Sequence, residues 1–395
     1  METRRLYRAY SGFYFLYYAA LGIYVPFFPL YLHALGISAQ AVALLLALGP
    51  LSRFLFPAMW GLWADRSGHR KRLILISLGG ACAAFALLFG ARSFAEIAAA
   101  VFAYGFFLVP AIPLVEGMVQ EESDRRRFAY GAVRLWGSLG FILTTLLYGR
   151  LLDRYSERWV VTGILALSVL NLLPAAALPG KGPEPPHPPH SLRRALLRRA
   201  TLRFLSATTL MQASHAAYYA YFSLHLDRHG YTRTAIGAYW TLAVVAEIGM
   251  MIASARLLAR EGPMRLIAAS LLAAAVRWLM LALGTGAILL AAGQLLHALS
   301  YALFHVAAVS ATHRLFPDAL RSSGQSLYNA MTYGLGNLIG MLGCSLGVGA
   351  LGINGLFGVS SAMALAALLA LGPLPERPAG SEAPGDALSF GDTLG

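Results

Sequence analysis

Apolar residues dominate this chain in long runs, each near the length that a helix needs to cross a membrane. A hydrocarbon core about 30 Å thick needs roughly 20 apolar residues in a helix. Breaks at Gly, Pro and charged residues divide the runs into separate segments. The predicted spans are 10–34, 40–63, 72–91, 94–119, 129–150, 159–178, 203–226, 235–258, 265–284, 286–312, 322–347 and 353–373. The pattern predicts an all-α membrane protein with twelve transmembrane helices.

The composition agrees with a protein of the lipid bilayer. Hydrophobic residues make up 58% of the 395 residues and charged residues 12%, and the mean hydropathy is +0.61. This leaves too little polar surface to cover a soluble globule. The formal net charge is +13, but the basic residues are scattered in short loops, so nucleic-acid binding is not expected. The chain contains no H-E-x-x-H or G-x-S-x-G motif, so we expect neither a metal site nor an enzyme.

The loop charges predict the orientation of the chain. Most of the 31 Lys and Arg residues fall on one side if the amino terminus is cytoplasmic. By the positive-inside rule, both termini then lie in the cytoplasm, as an even number of helices requires. The basic start followed by the run Tyr10 to Leu35 has no signal-peptide cleavage pattern, so it is interpreted as the first span. We expect a multi-pass protein of a bacterial-type inner membrane.

A repeat predicts two halves. Six identical pairs share an offset of 194 residues: Arg66/Arg260, Gly68/Gly262, Asp124/Asp318, Arg127/Arg321, Gly140/Gly334 and Gly149/Gly343. A parallel duplication of a six-helix unit is the simplest explanation. The expected division is a bundle at 1–179, a proline-rich and then basic cytoplasmic linker at 180–202, a bundle at 203–374 and a disordered tail at 375–395.

Five charged residues interrupt the apolar segments: Arg53, Glu116, Arg134, Glu247 and Arg277. Each charge in a membrane core costs roughly 2.5–3.5 kcal/mol on the insertion scale. Charges retained at that cost face a cavity or one another. They predict a transporter with a polar pathway between its halves.

The segment GLWADRSGHRKR between predicted helices 2 and 3 resembles the signature of the major facilitator superfamily. Asp65 stands at a helix end, Gly68 permits a tight turn, and Arg66 and Arg70 supply positive charge. These residues form a candidate cytoplasmic gate that holds one conformation until the halves rock apart.

Within that superfamily, the chain resembles the lactose permease and phenylpropionate-permease-like branch, the oligosaccharide:proton symporter type. The resemblance rests on LGIYVPFFPLYLH in helix 1 and on PLVEGMV and YGAVRLWGSLGF in helices 4 and 5. It extends to Glu247, Arg277 and LLHAL around His297 in helices 8 to 10.

The resemblance implies a substrate site in the amino-terminal half. The family residues that match Glu116 and Arg134 bind sugar hydroxyls, and Phe141 stands where the family has a Trp that stacks on the sugar. Trp136 is a candidate to compensate for that indole, and Tyr24 is a further candidate for substrate contact.

Proton coupling needs a different assignment from that of the lactose permease. Ser300 replaces the family carboxylate of helix 10, and helix 7 carries His215 but no acid in its core. Glu247 is therefore the candidate proton carrier, modulated by Arg277 and His297. The structural alternative is that Glu116–Arg134 and Glu247–Arg277 are salt bridges that only hold helices together. Three further polar residues stay without an assigned role: Arg53, His215 and His305.

These observations predict a proton-coupled symporter that imports a saccharide or an aromatic carboxylate by alternating access. A proton-coupled exporter of sugars or drugs and a nucleoside symporter are the alternatives, and a sensor without transport activity is a further one. The expected partners are a small-molecule substrate, protons and the lipid bilayer. The protein is expected to be a monomer that needs no cofactor besides the proton gradient.

Overall fold

The computed structural model describes residues 2–125, 127–180, 198–317 and 320–373, with the side chains of Glu2, Asp65 and Ser322 outside that description. Within these ranges every regular element is a helix. The predicted all-α class is therefore confirmed. The predicted tail and most of the predicted linker lie outside the described residues.

In the amino-terminal half, helices begin and end close to the predicted breaks. They are α1 (Glu2–Ala34), α2 (Ala39–Leu55), α3 (Pro57–Ser67), α4 (Arg70–Ala86), α5 (Phe94–Leu108), α6 (Ala111–Asp124), α7 (Tyr130–Leu152), α8 (Trp159–Leu170) and α9 (Leu172–Ala176). Several predicted spans are broken helices, because Pro57 and Pro110 begin new segments. The axes of α2 and α3 meet at 46°.

The carboxyl-terminal half follows the same plan. Its helices are α10 (Arg199–Ser214), α11 (Ala216–Arg228), α12 (Arg233–Glu261), α13 (Pro263–Leu283), α14 (Ala287–His297), α15 (Phe304–Leu315), α16 (Arg321–Asn329) and α17 (Asn337–Leu371). Two π-helical segments interrupt it, Ala298–Leu303 and Ala330–Gly336. Such segments are rare and often lie at functional sites.

Nine helical stretches of the described ranges are long and apolar enough to cross a membrane, or ten if α2 and α3 count as one span. Two features explain why this count is lower than the predicted twelve. The last stretch includes Gly352, whose positive φ of 65° breaks α17 between two predicted spans. The pair α10 and α11 carries Gln212, His215 and His225, which lower its hydropathy but are buried within the bundle. The count of twelve stays a prediction.

The turns before α2 and α12 show the internal repeat in the backbone. Gly36 and Gly230, also 194 residues apart, both have positive φ (83° and 79°) and end the preceding helix. Two residues later, the hydroxyls of Ser38 and Thr232 accept the backbone N–H three positions on. The two halves therefore use the same turn at equivalent places.

One buried apolar cluster spans both halves, and another lies in the first half alone. One buried apolar cluster includes Phe27 and Leu45 of the first half together with Tyr221 and Trp278 of the second. A second cluster, around Tyr10 and Val115, contains residues of the first half alone. We call the end of the molecule where Asp153 contacts the start of α12 the Asp153 end. The opposite end, where α4 begins, is the Arg70 end. The halves pack against each other at the Asp153 end, where Gly149 lies against Arg233 and Thr234. We call the region between the two halves the cleft.

Candidate functional site

Three helices of the carboxyl-terminal half bring Glu247, Arg277 and His297 into one hydrogen-bonded row. His297 ends α14, and its Nε2 lies 2.7 Å from Oε1 of Glu247, in the middle of α12. Its Nδ1 lies 2.8 Å from Nη1 of Arg277, on α13. Arg277 is fully buried, whereas the Glu247 side chain keeps 17% of its surface accessible. The row runs from a fully buried cation to a partly accessible glutamate side chain.

The hydrogen bonds of this row determine where hydrogen sits on the imidazole. A guanidinium has donors and no acceptor, so Nδ1 of His297 must accept from Arg277. Nε2 then carries the hydrogen and donates it to Glu247. Since a doubly protonated ring would turn an N–H toward the guanidinium, a proton that enters the row binds to Glu247.

Hydrogen bonds and aromatic contacts surround the Arg277 guanidinium and fix its position in the row. Its Nε donates to the carbonyl of Gly293 at 2.9 Å, and its Nη2 lies 3.4 Å from Oε1 of Gln294. The guanidinium also lies 4.2 Å from the ring centre of Tyr218 and 4.4 Å from that of Trp278. Three of its five N–H donors are therefore bonded to protein groups.

Glu116 and Arg134 form a looser arrangement in the amino-terminal half. Glu116, on α6, accepts a hydrogen bond of 3.3 Å from the hydroxyl of Tyr130. Arg134, on α7, lies over the ring of Tyr18 at 4.1 Å and interacts electrostatically with Glu116. No ion-pair contact joins the two among the described side chains, and none joins Glu247 to Arg277. Both charge pairs therefore differ from the helix-holding salt bridges of the structural alternative.

The charged groups of the two halves face the same cleft. Glu247 interacts electrostatically with Arg134 of the opposite half as well as with Arg277 and His305. His305 lies at the start of α15, and its Nδ1 is 2.8 Å from the hydroxyl of Tyr333 in a π-helical segment. Accessible charges at this depth belong in a polar cleft, because lipid cannot solvate them.

The two predicted aromatic contacts of α7, Phe141 and Trp136, lie on opposite faces of that helix. Phe141 follows Arg134 by seven residues and shares its face of the helix. Trp136 follows by two and lies on the opposite side, 39% exposed, where its indole N–H donates to the hydroxyl of Tyr7 at 3.0 Å. Trp136 is therefore not brought to the charged cluster, which corrects that prediction.

Other predicted residues lie near the cluster without hydrogen bonds to it. Tyr24 stacks on Phe28 at 4.7 Å and interacts electrostatically with Arg53. His215 is fully buried with Nδ1 2.9 Å from the carbonyl of Met211 and its ring 6.3 Å from that of His297. Ser300 lies 3.5 Å from the carbonyl of the same His297.

The predicted gate residues occupy the Arg70 end. Gly68 ends α3 in the left-handed region, with φ of 64°, as the predicted tight turn requires. Arg70 forms an ion pair with Glu121 within the same half, and Arg66 is exposed. The Asp65 side chain lies outside the described residues. Among the ion pairs that the structure describes at this end, none crosses to the carboxyl-terminal half.

Sequence reasoning missed three residues that complete the site: Tyr130, Tyr218 and Gln294. Two of them carried a signal. Tyr130 precedes Arg134 by four residues, and Gln294 precedes His297 by three, which places each on the same helix face as its partner. Tyr218 had no comparable signal, since it reaches Gln294 across helices with a hydrogen bond of 3.0 Å.

A polar latch joins the halves at the Asp153 end. Arg233, at the start of α12, pairs with Glu157 of the opposite half at 2.8 Å and with Asp227 of its own half. The Asp153 carboxylate accepts the backbone N–H groups of Arg233 and Thr234 at 2.6 and 3.0 Å. It therefore caps α12 with a residue from the other half.

Replacing Arg233 by Ala is expected to raise the population open at the Asp153 end about threefold to tenfold, because partly exposed ion pairs are worth up to about 1 kcal/mol each. Pulsed electron paramagnetic resonance between labels at the exposed positions Arg154 and Ile288 measures this population. Arg158→Ala is the matched control. Equal distance distributions in both variants would contradict the latch.

The latch also predicts a response to acid. Desolvation raises the pKa of Asp153, but hydrogen bonds from Thr234 and Arg233 and the Arg233 charge outweigh it, so the pKa lies below its ordinary value. A lowered pKa means that the cap is fully present above the ordinary value, near pH 4. The contribution of the cap to closure is lost as the pH falls through the lowered pKa of Asp153. The open population in the same measurement should rise only in that acidic range.

Comparisons with known proteins agree with this architecture. A model of the family described as MFS_1 like matches residues 7–349. A protein named "Probable 3-phenylpropionic acid transporter" from Escherichia coli is 30% identical over 331 residues, 81% of this chain and 86% of that protein. A maltose permease from Geobacillus stearothermophilus is 30% identical over 336 residues, 82% and 83% of the two chains. A variant of the nucleoside transporter NupG has a similar fold, with a TM-score of 0.84, 15% identity and coverage of 93% and 98%.

Proposed function

The chain belongs to the MFS_1-like family of major facilitator transporters, and we propose that it is a proton-coupled symporter. It imports a small organic solute, a saccharide or an aromatic carboxylate, by alternating access. The observation that carries the proposal is the row Arg277–His297–Glu247 at the cleft. The named substrates of the two relatives, 3-phenylpropionic acid and maltose, support the two solute classes.

Glu247 carries the proton in this mechanism. Its side chain is partly accessible, and its neighbour His297 is held as a donor by Arg277, so the row accepts one proton at the carboxylate. A charged Glu247 attracts Arg134 across the cleft, and a protonated one does not. Protonation therefore changes the attraction between the halves and can be coupled to their movement.

Glu116 and Arg134 orient the solute from the amino-terminal half. Neither is in ion-pair contact with the other, so the carboxylate and the guanidinium are both available to polar groups of a ligand. Phe141 offers an apolar surface on the same helix face as Arg134.

Alternating access uses the two ends of the cleft. With both termini in the cytoplasm of a bacterial-type inner membrane, the latch closes the outer side and the cleft opens inward. Asp65, Arg66, Gly68 and Arg70 then act as the inner gate, which closes when the outer latch opens. The monomer is the working unit, and the proton gradient drives transport.

Proton movement on ligand addition tests this function. The purified protein in weakly buffered detergent solution is mixed with sugars, nucleosides, aromatic acids and drug-like cations, and pH is recorded. We expect proton uptake of about one per bound solute, because the row has one proton site. Binding without proton movement would indicate a uniporter or a sodium carrier. Proton release on binding of a cation or sugar would favour an exporter, since the fold does not fix direction.

A further inference from the structure

Arg53 is a charged residue in the middle of a span to which the mechanism above gives no role. It lies 14 residues after the start of α2, about 21 Å along the helix axis, just before the 46° bend into α3. It is exposed, unlike the buried Ser52 that precedes it. An exposed guanidinium at this depth faces the cleft, because lipid would leave its donors unsatisfied.

Arg53 interacts electrostatically with tyrosines of both halves. Among the side chains that the structure describes, none of the ion pairs includes it. Its electrostatic partners are Tyr17, Tyr18, Tyr24, Tyr104 and Tyr301.

Arg53 and Arg134 share two of these aromatic neighbours. Tyr18 of the first half and Tyr301 of the second both interact with both arginines. Both guanidinium groups therefore act on the same two tyrosines, and Arg134 lies 4.1 Å from the ring centre of Tyr18. Arg277 is not part of this pair, since it is fully buried and bonded to Gly293, Gln294 and His297.

The charge balance of the cleft favours an anion. Arg53, Arg134 and Arg277 outnumber Glu116 and Glu247 among the core charges, which leaves one excess positive charge with both acids ionised. Protonation of Glu247 raises the excess to two. A neutral sugar would leave this charge uncompensated, whereas one carboxylate offsets it.

We propose that Arg53 and Arg134 bind the carboxylate of a planar aromatic monocarboxylate between Tyr18 and Tyr301, and that Arg53 selects this class over neutral saccharides. The assignment rests on the proposed transport function and narrows its substrate. A guanidinium binds a carboxylate through two parallel hydrogen bonds, and the tyrosine rings suit the flat apolar part of the ligand.

The placement explains how the anion and the proton bind together. Arg134 interacts with Glu247 across the cleft, so an ionised Glu247 competes with a ligand carboxylate for the same guanidinium. A proton on Glu247 removes that competition, and the anion in turn favours the proton. The groups that face Glu247 from both halves are Arg134, Tyr218, Tyr219, Arg277, His297, Tyr301 and His305.

Matched acids and amides test the assignment on the unmodified protein. Benzoate, phenylacetate and cinnamate, each beside its neutral amide, and lactose are titrated into the full chain in lipid nanodiscs. We expect at least one acid to bind about tenfold or more tightly than its amide, the amount that one guanidinium–carboxylate contact provides. The ratio of the affinities for the acid and for its amide should fall to about one in Arg53→Gln. It should be partly retained in Arg53→Lys. Arg256→Gln, an exposed arginine of α12, is the control and should keep it.

The outcomes separate this inference from the transport function. Amides or lactose that bind as tightly as the acids, or a full acid preference in Arg53→Gln, would overturn the carboxylate assignment. Lactose binding with proton uptake would also overturn the carboxylate assignment, but it would agree with proton symport. Acid binding that depends on Arg53 but takes up no proton would instead uphold the anion site and overturn symport.

Discussion

Glu247→Gln is expected to abolish accumulation driven by a proton gradient while leaving ligand exchange within about twofold of the parent. Gln has nearly the same shape and still accepts a hydrogen bond from Nε2 of His297, but it cannot take up the proton. With an imposed difference of about two pH units, one-to-one coupling is worth roughly 2.7 kcal/mol and sustains accumulation of about 100-fold. Uptake into proteoliposomes with and without the gradient measures both activities.

Glu261→Gln is the matched control for this prediction. Glu261 ends the same helix, α12, 14 residues after Glu247, and pairs there with Arg260. The Glu261→Gln variant should accumulate solute to the same level as the parent protein. If Glu247→Gln accumulates solute to the level of this control, the proton is carried elsewhere and the row of three residues is structural.

The fold was largely predictable because its signals are local. Apolar runs, the glycine turn at Gly68 and the breaks at proline each act within a few residues. The membrane-spanning class and the family are confirmed by the helices and by the relatives. The polar pair α10 and α11 shows the limit, since its burial among other helices is a tertiary property that hydropathy cannot report.

The charge pairs were only half predictable. The five charged positions were singled out as cleft or partner residues, but their spacing along the chain gives neither the rotation nor the depth of each helix. Tyr130 therefore takes the hydrogen bond expected between Glu116 and Arg134, and His297 stands between Glu247 and Arg277. Which side chain intervenes depends on packing between helices.

Trp136 was a different kind of error, because the sequence alone could have prevented it. A step of 100° per residue puts it on the far side of α7 from Arg134. The latch around Arg233 could not have been found this way. Its residues are ordinary loop charges, and only the docking of two halves brings Asp153 and Glu157 to the start of α12.

Arg277→Met should destabilise the protein by about 2–6 kcal/mol and also alter its response to pH. Methionine fills much of the volume but leaves the carbonyl of Gly293 and Nδ1 of His297 without their donor, and each orphaned buried acceptor costs about 1–3 kcal/mol. Thermal unfolding in nanodiscs measures the loss. Arg277→Lys, which keeps the charge but not the planar fork, should be intermediate.

The pH response distinguishes positioning from packing. Once no guanidinium faces Nδ1, both nitrogens of His297 can carry hydrogen, and the row gains a second proton site. Ligand binding by Arg277→Met should then vary with pH in two steps, where the parent shows the single step of Glu247. Leu271→Ala, a buried apolar change on the same helix, should lower stability while keeping one step. One step in Arg277→Met would mean that the arginine only packs the core, because loss of packing alone cannot add a proton to the row.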